Sequence, residues 1–237
     1  MHYHRSLLLA VVLLLLPLSI NAQDRVREAR EVASFTEVGF SIPGTLHIRQ
    51  GDTQSVEVEA AEKVLDHVET TVDDDRLEIK DDANFFERMF DGRDWGEIDV
   101  YVTMPRIETL SLAGSGTIRG ETPIESSALA LENAGAGELD LEVATTDLRT
   151  SIAGSGTVRL RGTTNSVNIQ IAGSGTIHAS DLTASAAEVT VAGSGDIHLH
   201  VTDQLSAEIM GSGDVVYRGS PTIETSILGS GEVRSEE

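Results

Sequence analysis

From Phe35 onward apolar and polar positions alternate. Val56, Val58 and Ala60 are interleaved with Glu57 and Glu59, Leu77 and Ile79 flank Glu78, and Ile98, Val100 and Val102 alternate with Asp99 and Tyr101. A period of two predicts strands with one buried face. Turn-forming stretches separate them at Pro43-Gly44, Gly51-Asp52 and Asp73-Asp74-Asp75.

Beyond about Ile107 the alternation becomes a repeat. Gly-Ser-Gly recurs at 114–116, 154–156, 173–175, 193–195, 211–213 and 229–231, with the variant Gly135-Ala136-Gly137 between the first two. Successive first glycines lie 21, 19, 19, 20, 18 and 18 residues apart. Two residues after the second glycine stand Ile118, Leu139, Val158, Ile177, Ile197, Val215 and Val233. Two residues before the first stand Leu112, Asn133, Ile152, Ile171, Val191, Ile209 and Ile227, and four further upstream Glu108, Leu129, Leu148, Val167, Ala187, Leu205 and Ile223.

A unit this short cannot bury its own apolar face, whereas units piled at about 4.8 Å form a continuous core from identical columns. The expected fold is therefore all-β: a single-stranded right-handed parallel β-helix with ~19-residue rungs and Gly-Ser-Gly corners, the hand following from the rule for parallel crossovers. Glycine suits the corner because a sharp bend and close stacking leave no room for a Cβ. The serines between them are expected to form a ladder down the corner.

Three segments complete the organisation. Residues 1–22 carry His2, His4 and Arg5, an apolar run from Leu7 to Leu18 broken by Pro17, and a small residue at Ala22. This is the composition of a signal peptide cleaved after Ala22, and about 12 apolar residues fall short of the ~20 that span a bilayer. Residues 23–34 are charged without an apolar stripe and read as a linker, and residues 35–237 as one β-helix domain.

Residues 81–96, DDANFFERMFDGRDWG, interrupt the strand pattern with acidic and aromatic side chains. Phe85, Phe86, Phe90 and Trp95 are four of the chain's nine Trp, Tyr and Phe residues. Two roles suit such rings: a contact patch for a protein or glycan partner, and a lid over the open end of the solenoid.

The strand Thr45–Gly51, the strand holding Leu77-Glu78-Ile79, the strand Ile98–Val102 followed by Met104-Pro105, and then Leu110-Ser111-Leu112-Ala113-Gly114-Ser115-Gly116 occur in an order that resembles the putative auto-transporter adhesin, head GIN domain family. The likeness runs over about residues 35–237. It implies an exported bacterial β-helical protein and supplies no catalytic residue. The segment 81–96 departs from the pattern as an insertion.

Charge removes several functions. The net charge is -22 and no basic patch is visible, so nucleic acid and anionic lipid are repelled. Cysteine is absent, which excludes disulfides, thiolate metal sites and a cysteine nucleophile. No cofactor is implied.

The column after the second glycine, Thr117, Glu138, Thr157, Thr176, Asp196, Asp214 and Glu232, contains acids, but its period near 19 does not match the nine-residue spacing of calcium-binding repeats. His178 and His198 share one offset in adjacent rungs, in a column otherwise filled by Arg119, Asp140, Arg159, Val216 and Arg234, so they read as surface histidines and no metal site is assigned. Some pectin-degrading enzymes use parallel β-helices, yet these repeats hold few basic groups and no triad or nucleophile, and fold analogy alone does not establish catalysis. The expectation is an exported, non-catalytic binding or scaffolding module of the cell envelope, periplasmic or at the surface. A carbohydrate-active enzyme and a purely structural envelope protein are the alternatives.

Overall fold

The computed structural model describes residues 25–82 and 96–236. In chain order its elements are β1 (Arg25–Ala29), β2 (Glu37–Phe40), β3 (Thr45–Gln50), β4 (Ser55–Ala61), α1 (Glu62–Leu65), β5 (Val68–Asp73), β6 (Arg76–Asp81), β7 (Asp99–Met104), β8 (Thr109–Gly114), β9 (Thr117–Gly120), β10 (Ile124–Gly135), β11 (Glu138–Gly154), β12 (Thr157–Gly173), β13 (Thr176–Gly193), β14 (Asp196–Gly211), β15 (Val215–Arg218), β16 (Thr222–Gly229) and β17 (Val233–Ser235).

The strands wind into a β-solenoid. One wall runs β6, β2, β8, β10, β11, β12, β13, β14, β16 in continuous parallel pairing. A second wall runs β7, β3, β9, the first halves of β11 to β14, then β15 and β17. The inward columns predicted from the repeat form the core: Ile118, Leu139, Val158, Ile177, Ile197 and Val215 are all fully buried. Asn133, the polar exception, is also buried, and its Nδ2 donates to the Gly137 carbonyl at 2.8 Å.

The two corner glycines are required for different reasons. Gly173 has φ +128°, and a Cβ there would lie 2.4 Å from the Gly154 carbonyl oxygen of the preceding rung. Gly175 instead covers an inward side chain of the rung below, where a Cβ would lie 2.5 Å from Ile152 Cγ2. Ser174 between them points outward and its N–H donates to the Gly154 carbonyl at 2.9 Å. Unequal rung lengths are absorbed away from this corner, since the register shifts at Arg159/Arg161 and Ala179/Thr183 while the glycines stay paired.

The beginning of the solenoid departs from chain order. The first rung in space is β6–β7, and β2–β3 lies between it and β8–β9. Antiparallel strands close this end: β5 on β6, β4 on β7 and β1 on β4. Residues 23–34, expected as a linker, therefore include a paired strand. β1 forms because alternation is not needed in an edge strand whose partner supplies the backbone hydrogen bonds and whose arginines meet acids: Arg27 pairs with Glu57 at 3.0 Å.

Candidate binding surfaces

Three polar assemblies lie on the outer faces. One is a groove of about 1040 Å³ that crosses the five rungs from β8 to β13 on the side where the first wall begins. Its floor includes Leu129 and Leu148, buried between rungs, and its rim holds Gln50, Glu125, Ser126, Asp147, Arg149, Ser166, Asn168 and Glu188. Stacking in register puts each polar side chain within reach of the next rung. Ser166 Oγ donates to Asp147 Oδ1 at 2.6 Å and Asn168 Nδ2 to Glu188 Oε2 at 2.8 Å, while within β12 Gln170 Nε2 donates to Asn168 Oδ1 at 3.2 Å. Gln50 clamps one end, donating to the Pro105 and Glu125 carbonyls and accepting from the Glu125 N–H at 2.7 Å. These side chains are thus held in place before any partner arrives, which lowers the ordering cost of contact.

The second assembly joins the antiparallel cap to the stack. His47 on β3 faces two carboxylates, Asp99 Oδ1 at 2.9 Å from Nε2 and Glu121 Oε1 at 3.2 Å from Nδ1, so one ring links β7, β3 and the residue following β9. Arg25 reaches Asp99 from β1, and Arg49 bonds Glu121 at 2.8 Å. The His47 ring stacks on Tyr101 with centroids 4.7 Å apart, while the Arg27 guanidinium lies 3.8 Å over the Tyr101 ring.

Burial alone would push Asp99 up, but hydrogen bonds from His47 and Arg25 outweigh it and hold the carboxyl below its ordinary range. The Arg49 hydrogen bond, offset in part by burial, does the same for Glu121. Burial and the neighbouring Asp99 and Glu59 charges push the Tyr101 hydroxyl up. Every member has a structural partner, so the cluster reads as a fastening.

The third is the pair expected from the sequence. His178 and His198 stack with centroids 5.7 Å apart and planes 23° from parallel. Burial, together with Arg159 and His198, pushes His178 below the usual histidine range. Among the described residues no three histidines, cysteines or acids converge as a metal site would require.

The acids of the glycine corner serve the backbone instead. Asp196 Oδ1 accepts the Asp214 N–H at 3.2 Å, and Asp214 Oδ1 accepts the Glu232 N–H at 3.0 Å.

Phe85, Phe86, Phe90 and Trp95 lie outside the described residues. The ends of their segment are visible. β6 finishes at Asp81, and Gly96 lines a cavity of about 410 Å³ with Pro43, Gly44, Thr45, Glu97, Ile98 and Asp99. This is the position of the glycine corner in the first rung, because the Gly44 carbonyl accepts from Thr117 and the Ile98 carbonyl from Thr45. Sequence reasoning missed the groove and the His47 cluster. The groove residues recur at the repeat offset, as in Arg149, Asn168 and Glu188, but with a different polar side chain in each rung, and the cluster residues lie in strands outside the glycine repeat, where the one usable signal was that His47 and Asp99 sit in strands of like pattern.

Solved structures share this fold. A putative adhesin from Bacteroides fragilis superposes with a TM-score of 0.83 at 23% identity, covering 91% of this chain and 98% of that one. A putative lipid binding protein from Parabacteroides distasonis gives 0.71 at 24% identity, with the same coverages. A putative adhesin from Parabacteroides merdae gives 0.69 at 19%, covering 92% and 98%. No curated protein matches the sequence. The family model for the putative auto-transporter adhesin, head GIN domain, matches residues 34–221, and with that match over most of the solenoid the chain belongs to this family.

Proposed function

We propose that the protein is an exported, non-catalytic, adhesin-like binding module of the bacterial cell envelope, and that the groove across β10 to β13 is its contact face for a protein or glycan. The observation that carries this reading is the pre-ordered row of donors and acceptors over Leu129 and Leu148. It offers hydrogen-bonding positions at the rung spacing. The net charge of -22 suits uncharged or basic partners. Phe85, Phe86, Phe90 and Trp95 supply a second set of contact residues for that partner. The 22-residue leader directs export to the periplasm or the cell surface.

The test is retention of the purified protein on an array of bacterial and host surface polysaccharides and matrix proteins, beside the variant Ser126→Arg with Asn168→Arg. Both positions lie on the groove rim outside the core, so the variant should fold. Selective retention that the variant loses supports the groove. Equal retention by both, or none, overturns it, and release of reducing sugar from any polysaccharide overturns the non-catalytic reading.

A further inference from the structure

The two ends of the solenoid are finished differently. At the start, antiparallel β4 and β5 cover the first rung. At the other end, β16 and β17 pair only inward, to β14 and β15, and nothing among the described residues covers their outer edge. The inward columns run straight out into that edge. Leu205 and Ile209 are 1% and 0% exposed, whereas Ile223 and Ile227, directly above them, are 41% and 43% exposed. The outward column also changes there. It is alanine at 113, 134, 153, 172 and 192, then Met210 and Leu228, which are 44% and 75% exposed. An uncovered strand edge with apolar side chains is a template for pairing.

We propose that this last rung is a self-association surface, where β16 pairs antiparallel with β16 of a second copy across a two-fold axis at Thr225. The register carries the proposal. The segment Ile223-Glu224-Thr225-Ser226-Ile227 is palindromic in character about Thr225. Centring the axis there sets Ile223 opposite Ile227 of the second copy and Glu224 opposite Ser226, so the apolar columns of both rods close on each other and no like charges face directly.

The head-to-tail alternative fails on charge. It would set Glu224 against β5, the outermost strand of the same wall, whose exposed side chains include Glu69 and Asp73. Residues 219–236 form the rung, close to the roughly 20–30 residues a side of a standard interface. The family match ends at residue 221, before β16 and β17.

Sedimentation velocity across a wide concentration range, on protein recovered from the envelope of expressing cells, tests this. The weight-average mass should rise about twofold and stop there, as closed two-fold pairing requires. Ile223→Lys with Ile227→Lys should remain at monomer mass with an unchanged far-ultraviolet dichroism spectrum. In the cysteine-free chain, Thr225→Cys should form a covalent dimer under mild oxidation faster than Ser155→Cys, placed in the middle of the stack. A wild type that stays monomeric, a double-lysine variant that still dimerises, a mass that grows without limit, or equal cross-linking by the two cysteine variants would each overturn the proposal.

Discussion

The stack from β8 to β14 and the cap built from β1, β4 and β5 solve the same problem with different chemistry. In the stack, each rung repeats the side chains of the one before it. Stability there is a sum of identical contacts between neighbours, and no charge is needed inside. The cap has no repeat to lean on. It is held by reversed strands, by arginine–carboxylate pairs from β1, and by the His47 ring between Asp99 and Glu121. Regularity makes a core inexpensive to specify but leaves an open edge, and closing that edge takes irregular, polar and individually specified residues.

That contrast predicts where the molecule breaks. The largest effect belongs to the inward column of the stack. Ile177→Asp places an unpaired charge among Val158 and Ile197 and should cost on the order of 4 kcal/mol or unfold the chain. Thr176→Asp, one residue away on the outer face, should change stability by less than about 1 kcal/mol. Chemical denaturation of the two variants checks both, and equal losses would reverse the inward and outward assignment.

Next comes the glycine corner. Gly173→Ala forces a side chain onto a positive φ and into the Gly154 carbonyl oxygen, so it should cost about 1–3 kcal/mol, while Ser174→Ala beside it should be nearly neutral. Thermal melts of the pair would show whether the bend itself sets the constraint.

Acid should separate the two regions. Asp99 and Glu121 have folded pKa values below their ordinary ones, so their contribution is fully present above the ordinary carboxylate pKa of about 4 and is lost as pH falls through the depressed folded values. Hydrogen exchange followed from neutral pH downward should show β1 and β7 losing protection before β12 and β13. Simultaneous loss would mean that the ion pairs do not fasten the cap. His178, held below the usual histidine range, acts earlier: its unfavourable protonation weakens the fold as pH drops below about 6.5.

The smallest effect is a gain. Thr150 is buried in the column between Leu131 and Ile169 and its hydroxyl has no hydrogen-bond partner. Thr150→Val keeps the shape, removes the buried hydroxyl and should stabilise by about 1 kcal/mol in denaturant unfolding. A loss of stability would show that the hydroxyl is satisfied.

The same contrast explains what could be read from the chain. Columns such as Ile118 to Val215 repeat at a fixed interval, so their inward facing was legible without coordinates, and Asn133 marked itself as the exception. The cap was not legible. β1 lacks an apolar stripe, its partner β4 is reversed, and the order β6–β7 before β2–β3 in space follows from pairings that no local pattern encodes. The groove was hidden for a related reason, because its residues occupy the variable outer positions of several rungs and meet only when those rungs are stacked. Aromatic clustering drew attention to Phe85, Phe86, Phe90 and Trp95, whereas the ordered polar surface rests on Ser, Asn, Gln and acids of ordinary frequency.

Rung-on-rung register can be measured with two cysteine pairs in the cysteine-free chain. Ala153 and Ala172 are partners on adjacent rungs, and Ala172 pairs in turn with Ala192. Adjacent partners stand about 4.8 Å apart, within disulfide range, and alternate ones at about twice that distance. Mild oxidation should therefore link Ala153→Cys to Ala172→Cys within one chain and leave Ala153→Cys with Ala192→Cys unlinked. Linkage of the second pair, or failure of the first in a folded protein, would contradict the stacked solenoid.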